Sequence, residues 1–464
     1  MKQIAFILLI FIVFMGEGIH AQQEDNRLGS RDDETVQTLV QRTLQALNQR
    51  TLQALNQPTL QASNIPTVQA SKYPTIQASK SSGNQISAQA GKQAIARTFN
   101  QPVAQAAGQQ GRIKPVRRAD QLKEGEAKNL LLAHPIVHNL KVMVNLIRRD
   151  MVDLSGFQMV GVYHTGERYD YARSRRYLDT VEYEGPEIHL RAIRDSISPG
   201  EIYQNNRLTD DYRKMFRQSC GVIFFGGPDL PPRVYGEKTN LHTGIYDPYR
   251  HYFELSYVYH LLGGRRGETH EGWIASNPDY LIYGFCLGMQ TMNVGTGGTM
   301  VQDIPSELYD LHYVEDIVEL NRDKTHRNYY GRISMRDDLL SGAFHRVDFK
   351  SGDFAERLGM SGLTPLVYSN HHQAVDDIGK GFRVMATSMD GKVVEGVKHT
   401  KYKNVRGFQF HPEAPFLYDT TRHYRMGPDE AVFTGPQKLK QHQGWRFHQA
   451  FWQDFSERLQ AGNE

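Results

Sequence analysis

The chain has 464 residues, 39% of them hydrophobic and 23% charged, which is enough for one large core or two modest ones. The formal net charge is only +3, and no block rich in Lys and Arg interrupts the sequence, so the composition predicts no nucleic-acid partner. Cys220 and Cys286 are too few for a disulfide scaffold, although counting leaves one bridge between them open.

Residues 1–21 have the features of a secretory signal peptide. Lys2 gives a positive start, residues 4–15 form an apolar run, and Ala21 stands where cleavage is expected. The run is shorter than the roughly 20 residues that span a bilayer. We therefore expect export to the periplasm or outside the cell, with no integral membrane segment after cleavage. An uncleaved membrane anchor remains the alternative.

Residues 22–122 form a predicted low-complexity spacer with an octad repeat at 33–80. The six copies read DETVQTLV, QRTLQALN, QRTLQALN, QPTLQASN, IPTVQASK and YPTIQASK. Pro58, Pro66 and Pro74 would stop a continuous helix, and the composition lacks the apolar residues needed for a core. We expect a disordered spacer, with a surface-binding or self-pairing repeat as the alternative.

Residues 123–464 have the composition of one globular domain, with strands and helices in alternation. The predicted helices are 130–151 (with Pro135 at its start or at a break), 211–218, 252–262, 287–294 and 445–459, and the predicted strands are 159–163, 221–225, 280–285, 366–368, 383–386, 393–397 and 405–410. This order predicts an α/β fold with a mostly parallel central sheet and helices on both faces. Active sites in such sheets lie beyond the carboxyl ends of the strands.

Cys286 follows one of those strands and precedes a helix. Gly284 and Gly288 flank it at two residues on either side, as in a nucleophile elbow with Cys in place of Ser. The free N–H groups of the following helix, beginning with Leu287, would favour a thiolate and could stabilise an oxyanion. The alternative is a buried cysteine in a turn where the glycines serve only packing.

His411 and Glu413 supply a base and a group to orient it. His411 ends a predicted strand, and the carboxylate two residues later can turn back to the imidazole. His399, His371 and His372 lack an acid placed in this way. Since a thiol, an imidazole and a carboxylate suffice for such a site, we expect neither a metal nor a cofactor.

These motifs resemble the class I glutamine amidotransferases and, within them, the γ-glutamyl-γ-aminobutyrate hydrolase-like group of peptidase family C26. The resemblance runs from about Met159 to Glu413 and implies a flavodoxin-like fold. The matching stretches, in the family's order, are FFGGPD at 224–229, DPYR at 247–250, GFCLGMQ at 284–290, GGTMVQDI at 297–304, HRV at 345–347, YSNHHQAV at 368–375 and QFHPE at 409–413.

The resemblance implies a role for each matching position. Cys286 would be the nucleophile, His411 the base and Glu413 its orienting group, and Gly227 and Leu287 would donate N–H groups to the oxyanion. The residues implied in holding the γ-glutamyl moiety are Gly226, Gln290, Ser369, His371, His372 and Gln373. Leu287 stands where this hydrolase group often has Arg, and insertions appear around 167–188 and 322–340. The resemblance therefore does not imply which amine is the leaving group.

The function expected is hydrolysis of a small γ-glutamyl amide or peptide. Ammonia transfer is less expected, because the sequence leaves no room for a synthetase domain on the same chain. The alternatives are a glutaminase subunit that serves a separate synthetase, or a non-enzymatic surface or binding protein on a retained fold. The sequence leaves homodimerisation open.

Overall fold

A computed structural model describes residues 128–461 except 266–267, 351 and 360–361. The predicted signal peptide, spacer and octad repeats lie outside the described residues. The strands are β1 Lys128–Ala133, β2 Phe157–His164, β3 Ile188–Ile193, β4 Gly221–Phe224, β5 Leu281–Phe285, β6 Met300–Val301, β7 Ala343–Phe349, β8 Leu366–Ser369, β9 Ala374–Val375, β10 Phe382–Ser388, β11 Val394–His399 and β12 Val405–Phe408. The α-helices are α1 Val137–Arg148, α2 Tyr171–Thr180, α3 Thr209–Arg217, α4 Pro248–Leu262, α5 Leu287–Gly295, α6 Ile304–Tyr309, α7 Val314–Val318, α8 Asp353–Arg357, α9 Gly435–Leu439 and α10 Gly444–Ala461.

Ten of the strands form one sheet in the order β3-β2-β1-β4-β5-β12-β11-β10-β7-β8. The first six run parallel to one another, and the remaining pairs are antiparallel. β6 and β9 pair separately. The strand order reverses between β1 and β4, and ligands in open α/β sheets bind at such a switch point. The predicted α/β fold with a mostly parallel sheet is confirmed.

Helices cover both faces of the sheet, as strand β1 illustrates. Leu130 and Leu132 belong to the core shared with α1 and α10, whereas Leu131 and Ala133 belong to the core shared with α3, α4 and α5. Side chains alternate between the faces of a strand, so a strand buried on both faces must be apolar throughout. In the described part of the chain, no helix has the length and apolar character required to cross a membrane.

The first predicted helix is wrong at its start. Residues 130–133 belong to β1, and the helix begins only at Val137, after Pro135. A doubly buried strand reads as a continuous apolar run, which also fits one face of a helix. The other predicted elements are present, with ends shifted by up to four residues. β3 was not predicted, because most of its residues are only half-buried and it has no apolar run.

Candidate active site

Cys286 lies in the sharp turn between β5 and α5. Its backbone has φ 51° and ψ −109°, a conformation that L residues rarely adopt. A Cβ on Gly288 would lie 2.1 Å from the carbonyl oxygen of Phe224, and one on Gly284 would lie 2.5 Å from the carbonyl carbon of Gly288. Gly288 is therefore required for the turn to pack against β4, and Gly284 for α5 to start so close to β5, as a nucleophile elbow demands.

The two cysteines, both in the described part of the chain, form no disulfide with each other. Cys220 donates its thiol to the carbonyl oxygen of Asn129 at 3.2 Å, at the far end of β4. Cys286 is buried, with 5% of its surface exposed. The bridge that the sequence left open is therefore absent.

His411 lies beside Cys286 and is held by Glu413. Its backbone N–H donates to the carbonyl oxygen of Tyr368 at 2.8 Å, and its Nδ1 lies 2.7 Å from Glu413 Oε1. The Cys286 side chain hydrogen-bonds to the same imidazole. Burial lowers the pKa of His411, but the charges of Glu413 and Cys286 raise that pKa more, to well above 6.5. These two neighbours therefore favour the protonated form of the ring.

Gly226 and Gly227 form the neighbouring wall at the end of β4. A Cβ on Gly226 would lie 2.7 Å from His411 Cε1, and one on Gly227 would lie 2.1 Å from Arg250 Nη1. In the described residues, neither the backbone N–H of Gly227 nor that of Leu287 donates to a protein acceptor. These two N–H groups thus remain available to a ligand.

Arg250 fixes the backbone of this wall. Its guanidinium donates to the carbonyl oxygens of Phe225 at 2.8 Å and Gly226 at 3.2 Å, and its Nε lies 2.8 Å from Glu254 Oε1. Burial raises the pKa of Glu254 more than Arg250 lowers it, to about 7. The ion pair is buried, and it holds the carbonyl group of the peptide that joins Gly226 to Gly227. The motif DPYR held this residue, but its sequence gave no sign of a carbonyl-binding role.

A cavity of about 540 Å³ opens over these groups. Most of the predicted site residues line it together: Gly226, Gly227, Cys286, Gln290, His371, His372, Gln373, His411 and Glu413. Leu287 contributes only through its backbone at the elbow. Ser369 does not line the cavity, because its hydroxyl lies 2.8 Å from Nε2 of the buried His345. The structure therefore brings together all the predicted side chains except Ser369.

His372 bridges two carboxylates at the rim of the cavity. Its Nε2 lies 3.1 Å from Asp229 Oδ2 and its Nδ1 lies 3.1 Å from Asp303 Oδ1. Burial lowers the pKa of His372, but hydrogen bonds to both carboxylates raise the pKa to about 9. The three groups together carry one net negative charge at neutral pH, and Asp229 and His372 line the same cavity as Cys286.

The lining residues outside the predicted set include His138, His242 and Arg327. Burial lowers the pKa of His138 more than the nearby Glu413 raises it, so this ring is neutral. Arg327 comes from the predicted insertion at 322–340, where no motif marks it. Asn370 also lines the cavity and lies inside the segment 369–373, which the resemblance implies in substrate binding.

Residues 202–413 match the family model of peptidase C26. A glutamine amidotransferase-like protein of Lactococcus lactis is 28% identical over 212 residues, which are 46% of this chain and 70% of that protein. A glutamine amidotransferase-like protein of Rickettsia prowazekii is 24% identical over 225 residues, 44% of this chain and 74% of that protein. A solved glutamine amidotransferase structure from Thermotoga maritima aligns with 72% of this chain and 98% of its own, at 10% identity and a TM-score of 0.31. At that score, the fold assignment rests on the strand order of the chain itself.

The mostly parallel sheet, the nucleophile elbow at Cys286 and the matched motifs together define a class I glutamine amidotransferase-like hydrolase. Within that class, the family that residues 202–413 match is peptidase C26. The resemblance drawn from the sequence motifs is confirmed.

Proposed function

We propose that this protein is an exported cysteine hydrolase that cleaves γ-glutamyl amide bonds through a thioester and releases glutamate and an amine. One observation carries the proposal. Cys286 occupies a strained elbow and hydrogen-bonds to His411, whose other ring nitrogen is held 2.7 Å from Glu413. A thiol, a base and an orienting carboxylate in this arrangement are the parts of an acyl-transfer site.

In the proposed reaction, the Cys286 thiolate attacks the γ-carbonyl carbon and forms a C–S bond. The backbone N–H groups of Gly227 and Leu287 stabilise the oxyanion, each contributing about 10²–10³ in rate. Collapse breaks the C–N bond, and Nε2–H of His411 protonates the departing amine. His411 then takes a proton from water, whose oxygen attacks the thioester and displaces the thiolate. Glutamate leaves as the product acid.

The charges around the cavity favour a zwitterionic glutamyl group. The Asp229–His372–Asp303 group carries one net negative charge and could hold an α-ammonium, whereas Arg327 could hold an α-carboxylate. The side chains that line the cavity carry charges of both signs. An apolar acyl group bound there would leave these side chains unpaired, so such a substrate is disfavoured. The names of the relatives, which refer to glutamine amidotransferases, agree with a γ-amide of glutamate as the bond cleaved.

The leaving-group side has a different character. A second cavity, of about 820 Å³, also reaches His411 and Glu413 and includes residues from both predicted insertions, such as Tyr177 and Leu339. Its basic lining residues outnumber its acidic ones and are Lys141, Arg148, Arg149 and Arg422. We therefore expect the preferred amine to carry a carboxylate, as an amino acid or a peptide does.

Export is part of the proposal and is supported by residues 1–21. Expression with the native N-terminus, followed by cell fractionation and N-terminal sequencing, should give a mature chain that begins at Gln22. A cytoplasmic chain that retains Met1 would contradict export and leave the chemistry untouched. Removal of residues 22–115 should not change kinetics on soluble substrates if this region is only a spacer.

The test of the chemistry is a panel of γ-glutamyl amides incubated with the mature protein, with Cys286→Ala as the matched control. We expect glutamate release, accumulation of a thioester on Cys286 in acid-quenched samples, and faster turnover of γ-glutamyl-glutamate than of γ-glutamyl-lysine. Ammonia release from glutamine only in the presence of a synthetase would instead support an amidotransferase subunit. Equal rates for Cys286→Ala and the unmodified protein would refute the proposal.

A further inference from the structure

Four buried side chains converge at the edge of the substrate cavity, which His371 also lines, and none of them acts in the proposed reaction steps. They are His326 from the predicted insertion, His345 from β7, His371 from the segment after β8, and Glu395 from β11. None is more than 4% exposed. Each offers a nitrogen or oxygen atom, and these four atoms all lie within 4.8 Å of one another.

The distances fit a tetrahedral centre after a small contraction. Glu395 Oε1 lies 3.0 Å from His326 Nδ1, 3.7 Å from His345 Nε2 and 3.9 Å from His371 Nε2. Zinc–nitrogen bonds of about 2.0–2.1 Å place neighbouring tetrahedral ligands about 3.3–3.4 Å apart. Side-chain shifts of ~1 Å or less would bring all four atoms to that spacing.

The carboxylate needs a partner that the described residues do not supply. Neither oxygen of Glu395 has a hydrogen-bond partner there, and His326 Nδ1 lies close to Oε1 without meeting hydrogen-bond geometry. Nε2 of His371 is likewise without a hydrogen-bond partner among the described residues. Burying a carboxylate without a hydrogen-bond donor or a cation costs free energy, and this cost is larger than that of burying an unpaired neutral polar group.

The orientation of two imidazoles also fits metal ligation. Nδ1 of His371 lies 2.8 Å from the carbonyl oxygen of Gln373, and Nδ1 of His345 lies 3.2 Å from that of Arg346. A ring that donates Nδ1–H to a carbonyl presents the Nε2 lone pair on its opposite side, here towards Glu395. Histidine ligands in metalloproteins are commonly fixed by this kind of backbone hydrogen bond.

We propose that His326, His345, His371 and Glu395 bind one divalent transition-metal ion, with Zn²⁺ as the best match. Three imidazoles and one carboxylate suit zinc, and four protein ligands leave no open position, as in a structural rather than a catalytic site. The hydroxyl of Ser369, now 2.8 Å from His345 Nε2, would turn away when that nitrogen binds the ion. The ion would tie the insertion at 322–340 to the substrate-binding segment after β8.

The test measures metal content in the mature full chain carrying Cys286→Ala, which removes the nucleophilic thiol as a competing ligand. The chain is loaded with ZnCl₂ alone, desalted and analysed by mass spectrometry of the metal, then stripped with EDTA and reloaded with Co²⁺ for absorption spectroscopy. The variants are His326→Asn and Glu395→Gln. The control is His312→Asn, which removes a histidine whose side chain is 59% exposed and lies outside the cluster.

We expect about one equivalent of zinc per chain in the parent and in His312→Asn, and at least tenfold less in both cluster variants. After reloading with Co²⁺, the parent should show the absorption of a tetrahedral Co²⁺ site, and the two cluster variants should not. Stripping should lower the Tm of the parent, and Zn²⁺ should restore it. If a cluster variant fails to fold, this reversible Tm shift in the parent still decides the matter. A parent that keeps no zinc, or a cluster variant that keeps as much as the parent, overturns the assignment.

Discussion

Substitution of Gly226 by alanine tests the site geometry with a single methyl group. The new Cβ would lie 2.7 Å from His411 Cε1 and 3.5 Å from Cys286 Cβ. Carbon atoms are at their optimal separation at about 3.5–4.0 Å, so the imidazole must move by roughly 1 Å. Misplacement of that size can lower a catalytic rate by about 10²-fold. Overpacking should also cost about 1–3 kcal/mol in the free energy of unfolding.

Two assays separate these effects. Turnover of a γ-glutamyl amide should fall about 10²-fold, and iodoacetamide should alkylate Cys286 more slowly at neutral pH, as read by peptide mass spectrometry. Denaturant unfolding of the same variant reports its stability. Gly331→Ala is the matched control, because its Cβ would meet no atom within 4 Å. Turnover in Gly226→Ala within threefold of the control would show that His411 and Cys286 do not act at the positions described.

Three further perturbations address the charges of the site. Glu413→Gln should lower kcat by about 10²-fold or more with little change in KM, since the carboxylate stabilises the imidazolium rather than the substrate; an unchanged kcat would contradict the orienting role. Because the pKa of His411 is higher in the folded than in the unfolded chain, its protonated form adds to the free energy of unfolding. This contribution has its full value below about pH 6.5, declines as the pH rises, and is lost once the pH exceeds the folded-state pKa. The stability difference between the parent and His411→Gln should therefore shrink from pH 6 to pH 10 in denaturant unfolding, and a difference that grows would have the wrong sign. Arg250→Met should lower the free energy of unfolding by about 3–5 kcal/mol because it leaves Glu254 buried without its cation. The double variant, Arg250→Met with Glu254→Leu, should recover much of this loss. Equal losses in the single and the double variant would refute the pairing.

The sequence was most informative where chemistry depends on local chain order. The elbow around Cys286 needs a strand, two glycines and a helix within a few residues, and the pair His411 and Glu413 is separated by one residue. Such arrangements can be read directly because covalent connection determines their geometry. The same reasoning failed for residues 130–133, where an apolar run satisfied two periodicities and only tertiary packing selected the strand.

Groups assembled from distant segments could not be read in this way. The cluster of His326, His345, His371 and Glu395 draws on four separate parts of the chain, so no short motif marks it. Arg250 gave no signal either, because its function is to bind backbone carbonyls that the fold brings to it. Ser369 matched a motif but faces His345 instead of the cavity, since a motif fixes the residue but not the direction of its side chain.

The two halves of the proposed site are therefore built on different supports. β5 and β12 are parallel neighbours with Phe285 opposite Phe408, so Cys286 and His411 emerge at the same edge of the sheet. Their separation is fixed largely by the spacing of adjacent strands, about 4.7–4.9 Å. The groups proposed to select the substrate, including Arg327 and His372, instead lie on connecting segments. Because segments of this kind tolerate insertion far better than strands do, the nucleophile and base can stay in place while the amine accepted by the enzyme changes.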